Sequence, residues 1–160
     1  MRTFHFSVAA LVIVSALGLA GCGGGGSSSS PQNQNPLIGT YKTASLQTAS
    51  GQQIGCPGSF TLAPTVFLSC GPSDTGTFGP DGKLSIFDSQ NNQTFADTYT
   101  VSGDMVTVNV PASGADAAFS TTYQFSLSGT QLTLKQISST SPDPTLGSDY
   151  NGTVSIDQKQ

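Results

Sequence analysis

From Leu37 onward the chain is written in short runs of alternating apolar and polar residues, separated by turn-forming residues. The clearest run is Tyr99-Thr100-Val101-Ser102-Gly103-Asp104-Met105-Val106-Thr107-Val108-Asn109-Val110. Two period-2 segments flank a Ser-Gly-Asp turn there, which is the pattern of a half-buried β-hairpin. Tyr123, Phe125 and Leu127 alternate in the same way, and Leu132 and Leu134 can meet them across Ser128-Gly129-Thr130. Pro80-Asp81-Gly82 marks another turn, since proline presets φ and glycine accepts the left-handed region. No window after Leu37 carries a helical apolar stripe.

Strands are therefore expected at 38–46, 58–62, 65–70, 76–78, 83–87, 94–101, 105–110, 122–127, 131–136 and 152–157. Pro64 interrupts the second pair. The segment 111–120 and the proline-bearing segment 138–149 read as loops. The fold class is all-β: a small antiparallel up-and-down β-barrel of eight or nine strands, because a meander must hide its edge strands. A β-sandwich is the alternative. The expected inward set is Phe60, Leu62, Leu84, Ile86, Tyr99, Val101, Phe125, Leu127, Leu132, Leu134, Val154 and Ile156. A barrel of this size either fills its interior with side chains or holds one small ligand.

The sequence before Leu37 has another character. An apolar run from Val8 to Leu19 follows Arg2 and is short for a membrane span, so 1–21 reads as a signal peptide. Leu19-Ala20-Gly21-Cys22 resembles the lipobox of bacterial lipoproteins. That resemblance implies cleavage before Cys22, lipid on its sulfur and on the new N-terminus, and a place in the cell envelope. Gly23 after the cysteine, where the family's retention signal has Asp, implies the outer membrane if the host has two. Acyl chains each contribute ~0.8 kcal/mol per buried CH₂, and stable anchoring takes more than one chain. Residues 22–36 form a Gly/Ser/Pro-rich tether, whose r.m.s. reach beyond the cysteine is roughly 20 Å. The folded domain is then 37–160.

The chain from Cys22 has four Lys against nine Asp, a side-chain charge of −5, and no Glu, Arg, His or Trp. Without His there is no imidazole base and no His-based metal site. Without Arg there is no bidentate clamp for phosphate or carboxylate. An acidic chain with scattered lysines is a poor nucleic-acid ligand. No G-x-S-x-G, S-x-x-K or D-x-D-x-D-G pattern occurs. The expectation is a protein with no catalytic residues, no metal and no cofactor. Cys56 and Cys70 sit at a spacing that fits no zinc or C-x-x-C motif and are expected to form a structural disulfide. Asp74, Asp81, Asp88 and Asp104 lie at turns, where aspartate makes local hydrogen bonds. Asp97 shares strand parity with Phe95, Tyr99 and Val101. It is either a carboxylate at the barrel rim or on the solvent face, or an inward one that orients a ligand.

Gly39-x-Tyr41, Tyr99-x-Val101-x-Gly103-Asp104-x-Val106-x-Val108 and Tyr123-x-Phe125-x-Leu127-x-Gly129-x-x-Leu132-x-Leu134 together resemble the lipocalin-like domains of bacterial lipoproteins. The resemblance covers most of 37–136. Lipocalins carry Gly-x-Trp in the first strand and a late Arg packed over the Trp; here Tyr41 takes the Trp position and the domain has no Arg. The resemblance therefore implies the barrel and leaves the ligand class open. Candidate ligand-facing residues are Tyr99, Phe125, Phe60 and Asp97. The expected partners are the membrane, through Cys22, and either a small apolar ligand or another envelope protein.

Overall fold

The structure is a computed structural model that describes residues 35–114, 116–144 and 147–160. Cys22, the signal peptide and nearly all of the tether lie outside the described residues. Eleven strands are present among them: β1 (Gly39–Gln47), β2 (Gln53–Gly55), β3 (Gly58–Ala63), β4 (Val66–Cys70), β5 (Thr75–Phe78), β6 (Lys83–Asp88), β7 (Gln93–Ser102), β8 (Met105–Val110), β9 (Phe119–Ser128), β10 (Gln131–Ser139) and β11 (Val154–Lys159). A 3-10 turn, Ser148–Tyr150, precedes β11.

Strands β5 to β11 pair each with the next, all antiparallel. β1 pairs with β5 on one side and β11 on the other, which closes an eight-stranded barrel and rules out the sandwich. The hairpin loops explain the register. Gly103-Asp104 and Gly129-Thr130 each begin with a glycine in the left-handed region, at φ +61° and +58°. A side chain resists that conformation, while tight hairpins need it.

β1 shifts register between Thr43 and Ser45, leaving Ala44 as the extra residue. A bulge of this kind turns the strand. Tyr41 and Thr43 face inward before it, and Leu46 is buried after it. Past the bulge, the edge of β1 that carried β5 carries β2 instead.

Two sequence expectations change here. The segments carrying Phe60 and Leu62, and Val66 and Leu68, are not barrel staves. They form a separate two-stranded hairpin, β3–β4, with its own apolar cluster of Leu46, Phe60, Val66, Leu68, Cys70 and Tyr150. The Cys56–Cys70 disulfide, with Cα atoms 5.4 Å apart, ties the hairpin's two ends together. The cluster buries that hairpin against the end of β1 and the 3-10 turn, so it sits as a cap. In β11 the inward parity is opposite to the expected one. Ser155 and Asp157 are buried, whereas Val154 and Ile156 are only half-buried. Pairing of Asp157 with Thr43, an inward residue of β1, sets this parity.

Candidate functional site

The barrel interior has two chemical halves. β5 to β8 supply an apolar wall that includes Phe78, Leu84, Ile86, Val106 and Val108. β1, β11 and the cap-side halves of β9 and β10 supply Tyr41, Thr43, Ser155, Asp157, Thr121 and Gln136, all buried.

The end opposite the cap is closed. Asn35 accepts a hydrogen bond from the Leu37 amide at 3.0 Å, and its Nδ2 donates to the Tyr99 hydroxyl at 2.5 Å. That hydroxyl donates in turn to the Gly79 carbonyl at 2.8 Å. Phe78 stands edge-on to both Tyr99 and Tyr41, at centroid distances of 4.9 and 6.0 Å. Lys159 lies over the Tyr41 ring and donates to the Ile38 carbonyl. Tyr99, a candidate ligand-facing residue, is thus part of a packed floor. Phe125 fills the same core, and Phe60 belongs to the cap cluster.

Among the described residues, two interior voids of about 30 Å³ each are seen. One lies against the apolar wall, and the other lies beneath the cap, between Leu46, Leu68 and Tyr150. Thr121, Tyr123 and Leu134 border both. Each void has room for a water molecule, far below the several hundred Å³ of a ligand pocket. Neither Tyr99, Phe125 nor Phe60 lines them.

Asp97 does. It is 8 % exposed, on the inner face of β7, and borders the void on the apolar side. It also borders an open groove of about 470 Å³ at the rim, where β7 and β8 meet the segment leading into β9. Asp97 and Val110 are common to both spaces. Among the described residues nothing donates a hydrogen bond to the Asp97 carboxyl, and burial pushes it up to about 6. The neighbouring Tyr123 phenol is pushed up as well, first by burial and then by the Asp97 charge.

Sequence reasoning missed a second polar spot. Tyr41 Oη, Thr43 Oγ1 and Asp157 Oδ1 are buried without a hydrogen-bond partner among the described residues. The Ser155 hydroxyl donates to the other Asp157 oxygen at 2.9 Å. Burial pushes the Asp157 carboxyl up to about 7, against the pull of the Ser155 hydroxyl and of the Thr43 hydroxyl beside it. The signal was present in the parity of Thr153, Ser155 and Asp157, but Val154 and Ile156 outweighed it.

The four aspartates expected at turns are structural. Asp74 accepts from the Gly71 amide and from Ser89, joining two turns. Asp88 accepts from Gln90 and Asn91. Asp81 pairs with Lys83, and Asp104 accepts from Gln124. Among the described residues no three His, Cys, Asp or Glu side chains gather in a metal-binding arrangement.

A crystal structure of a lipocalin-like protein from Bacteroides uniformis superposes on this chain with a TM-score of 0.51. The match covers 78 % of this chain and 98 % of that one, at 19 % identity. The fold is a lipocalin-like barrel. At that identity the likeness speaks to the fold and not to a shared ligand. No family model matches the chain, and no curated protein matches it.

Proposed function

We propose that this chain is a bacterial lipoprotein, held at the membrane by lipid on Cys22, whose lipocalin-like domain is a non-catalytic binding module of the cell envelope. Its ligand is small and partly apolar, and it docks at the rim groove rather than in the barrel centre. One observation carries the choice of place: the interior voids hold about 30 Å³ each, whereas the rim groove offers about 470 Å³ and, unlike the cap-side groove of about 480 Å³, has a buried carboxylate, Asp97, at its inner side. The lipobox-like Leu19-Ala20-Gly21-Cys22 supports the anchor, and Gly23 supports the outer membrane. The lack of His and Arg in the domain supports binding over catalysis.

A second reading, an interaction protein with a solid core, draws on the cap. Phe67 is 37 % exposed and lines a groove with Pro57 and Pro72 beside the disulfide. Native mass spectrometry separates the two. With residues 31–160 exported to the periplasm and purified without detergent, a discrete added mass lost on denaturation is expected from the binding module. A bare mass would turn the search to a protein partner at the cap.

A further inference from the structure

The described residues leave Asp97 without a counter-charge. Lys83 is paired with Asp81, and Lys159 is held at the floor. Lys42 and Lys135 lie between inward residues of β1 and β10, so they point out of the barrel. The described residues include no Arg and no His. Among the described residues around the void that Asp97 borders, Tyr123 is the one other titratable side chain; the rest are apolar apart from Thr121 and Gly76. A carboxylate in such surroundings is costly unless a cation or a set of donors meets it.

We infer that the rim groove takes a primary amine with an apolar body, its ammonium head seated on the Asp97 carboxylate. This inference rests on the reading of the groove as a ligand site and names the ligand's chemical class. The geometry suits it in three ways. Asp97 and Val110 border both the groove and a void of about 30 Å³, so space of about the size of an ammonium head lies against the carboxylate. The groove of about 470 Å³, lined in part by Val110, Pro111, Ala118 and Phe119, takes the apolar body. Tyr123 also borders that void, and its phenol feels the Asp97 charge, so it adds a polar edge beside the carboxylate. Charge-assisted hydrogen bonds of this kind are roughly twice as strong as neutral ones. An anionic ligand of the same shape meets repulsion at the same atom. Binding draws Asp97 into its ionised form, so the amine is released on acidification.

The test uses full-length protein labelled with ¹³C at the aspartate carboxyls and ¹⁵N at the backbone amides, and three probes of equal length: hexylamine, hexanol and hexanoate. At about pH 7.5, hexylamine is expected to bind at least about tenfold more tightly than hexanol, with hexanoate weakest. Saturation with hexylamine is expected to move the Asp97 carboxyl titration below its value of about 6. The preference should vanish in Asp97→Asn, whose folding is verified by its unfolding curve, and in the unaltered protein at about pH 4.5. Equal binding of hexylamine and hexanol at the groove would overturn the amine inference and leave the groove as an apolar site. A preference that survives Asp97→Asn would overturn it too. Absence of any shift at Asp97, Ser120 or Thr140 with all three probes would remove the groove itself as a ligand site.

Discussion

Single residues decide how this barrel responds to pH. Asp157 is 1 % exposed and keeps one oxygen unpartnered, next to the unpartnered hydroxyls of Tyr41 and Thr43. Leaving such atoms unpaired costs about 1–3 kcal/mol each. Protonation lowers the cost, because a carboxylic acid carries no charge to desolvate. The Asp97 and Asp157 carboxyls are raised to about 6 and about 7 in the folded chain. In the unfolded chain both titrate near the ordinary aspartate value. The folded state therefore holds more protons than the unfolded one between these limits, and its stability falls as pH rises. Stability is expected to be full below about pH 4, to decline through about pH 6–7 and to level off above. Urea unfolding across that range measures the slope. Asp157→Asn is expected to remove much of the decline and to raise stability at about pH 8 by roughly 2 kcal/mol, since the amide stays neutral and can donate to an orphaned hydroxyl. A steeper decline in that variant would contradict this account.

The β3–β4 hairpin shows what an element can do without joining the main sheet. Its strands pair only with each other, and its apolar face is buried in a cluster separate from the barrel core. The Cys56–Cys70 bond spans a sequence separation of 14. A loop of that length is worth ~3 kcal/mol in the chain-entropy model. The double variant Cys56→Ser, Cys70→Ser is expected to lose about 2–4 kcal/mol. The loss should be local: hydrogen exchange is expected to quicken in β3 and β4 while β7, β8 and β9 keep their protection. Uniform loss across the barrel would show that the cap and barrel unfold as one. The cap's place was illegible beforehand for a physical reason. Phe60-Thr61-Leu62 alternates like any barrel stave, and alternation reports burial of one face without saying what buries it. The disulfide was legible, because Cys56 and Cys70 are the two cysteines of the segment from Leu37 onward and admit one pair within it. β11 failed in a related way: Val154 and Ile156 favour one parity, but Thr43 across the ladder selects Asp157.

At the scale of the whole molecule, Asn35 and Leu37 close the floor, so the chain enters the barrel at the end opposite the cap. If Cys22 carries the lipid, the floor lies nearer the membrane, and the cap and rim groove lie farther out. Cys22→Ser is expected to shift the protein from the detergent phase to the aqueous phase in a cloud-point partition, without changing its unfolding midpoint. Retention in the detergent phase would argue against the lipid anchor.

The all-β class, the hairpin turns at Gly103 and Gly129, the turn aspartates and the Cys56–Cys70 pair could all be read from the chain alone. Each rests on neighbours within a few residues or on elimination among few candidates. Closure by β11–β1, the detachment of the cap, the parity of β11 and the isolation of Asp97 between void and groove belong to the tertiary structure. They depend on which distant strand lies alongside, and a period-2 pattern looks the same whichever partner it meets.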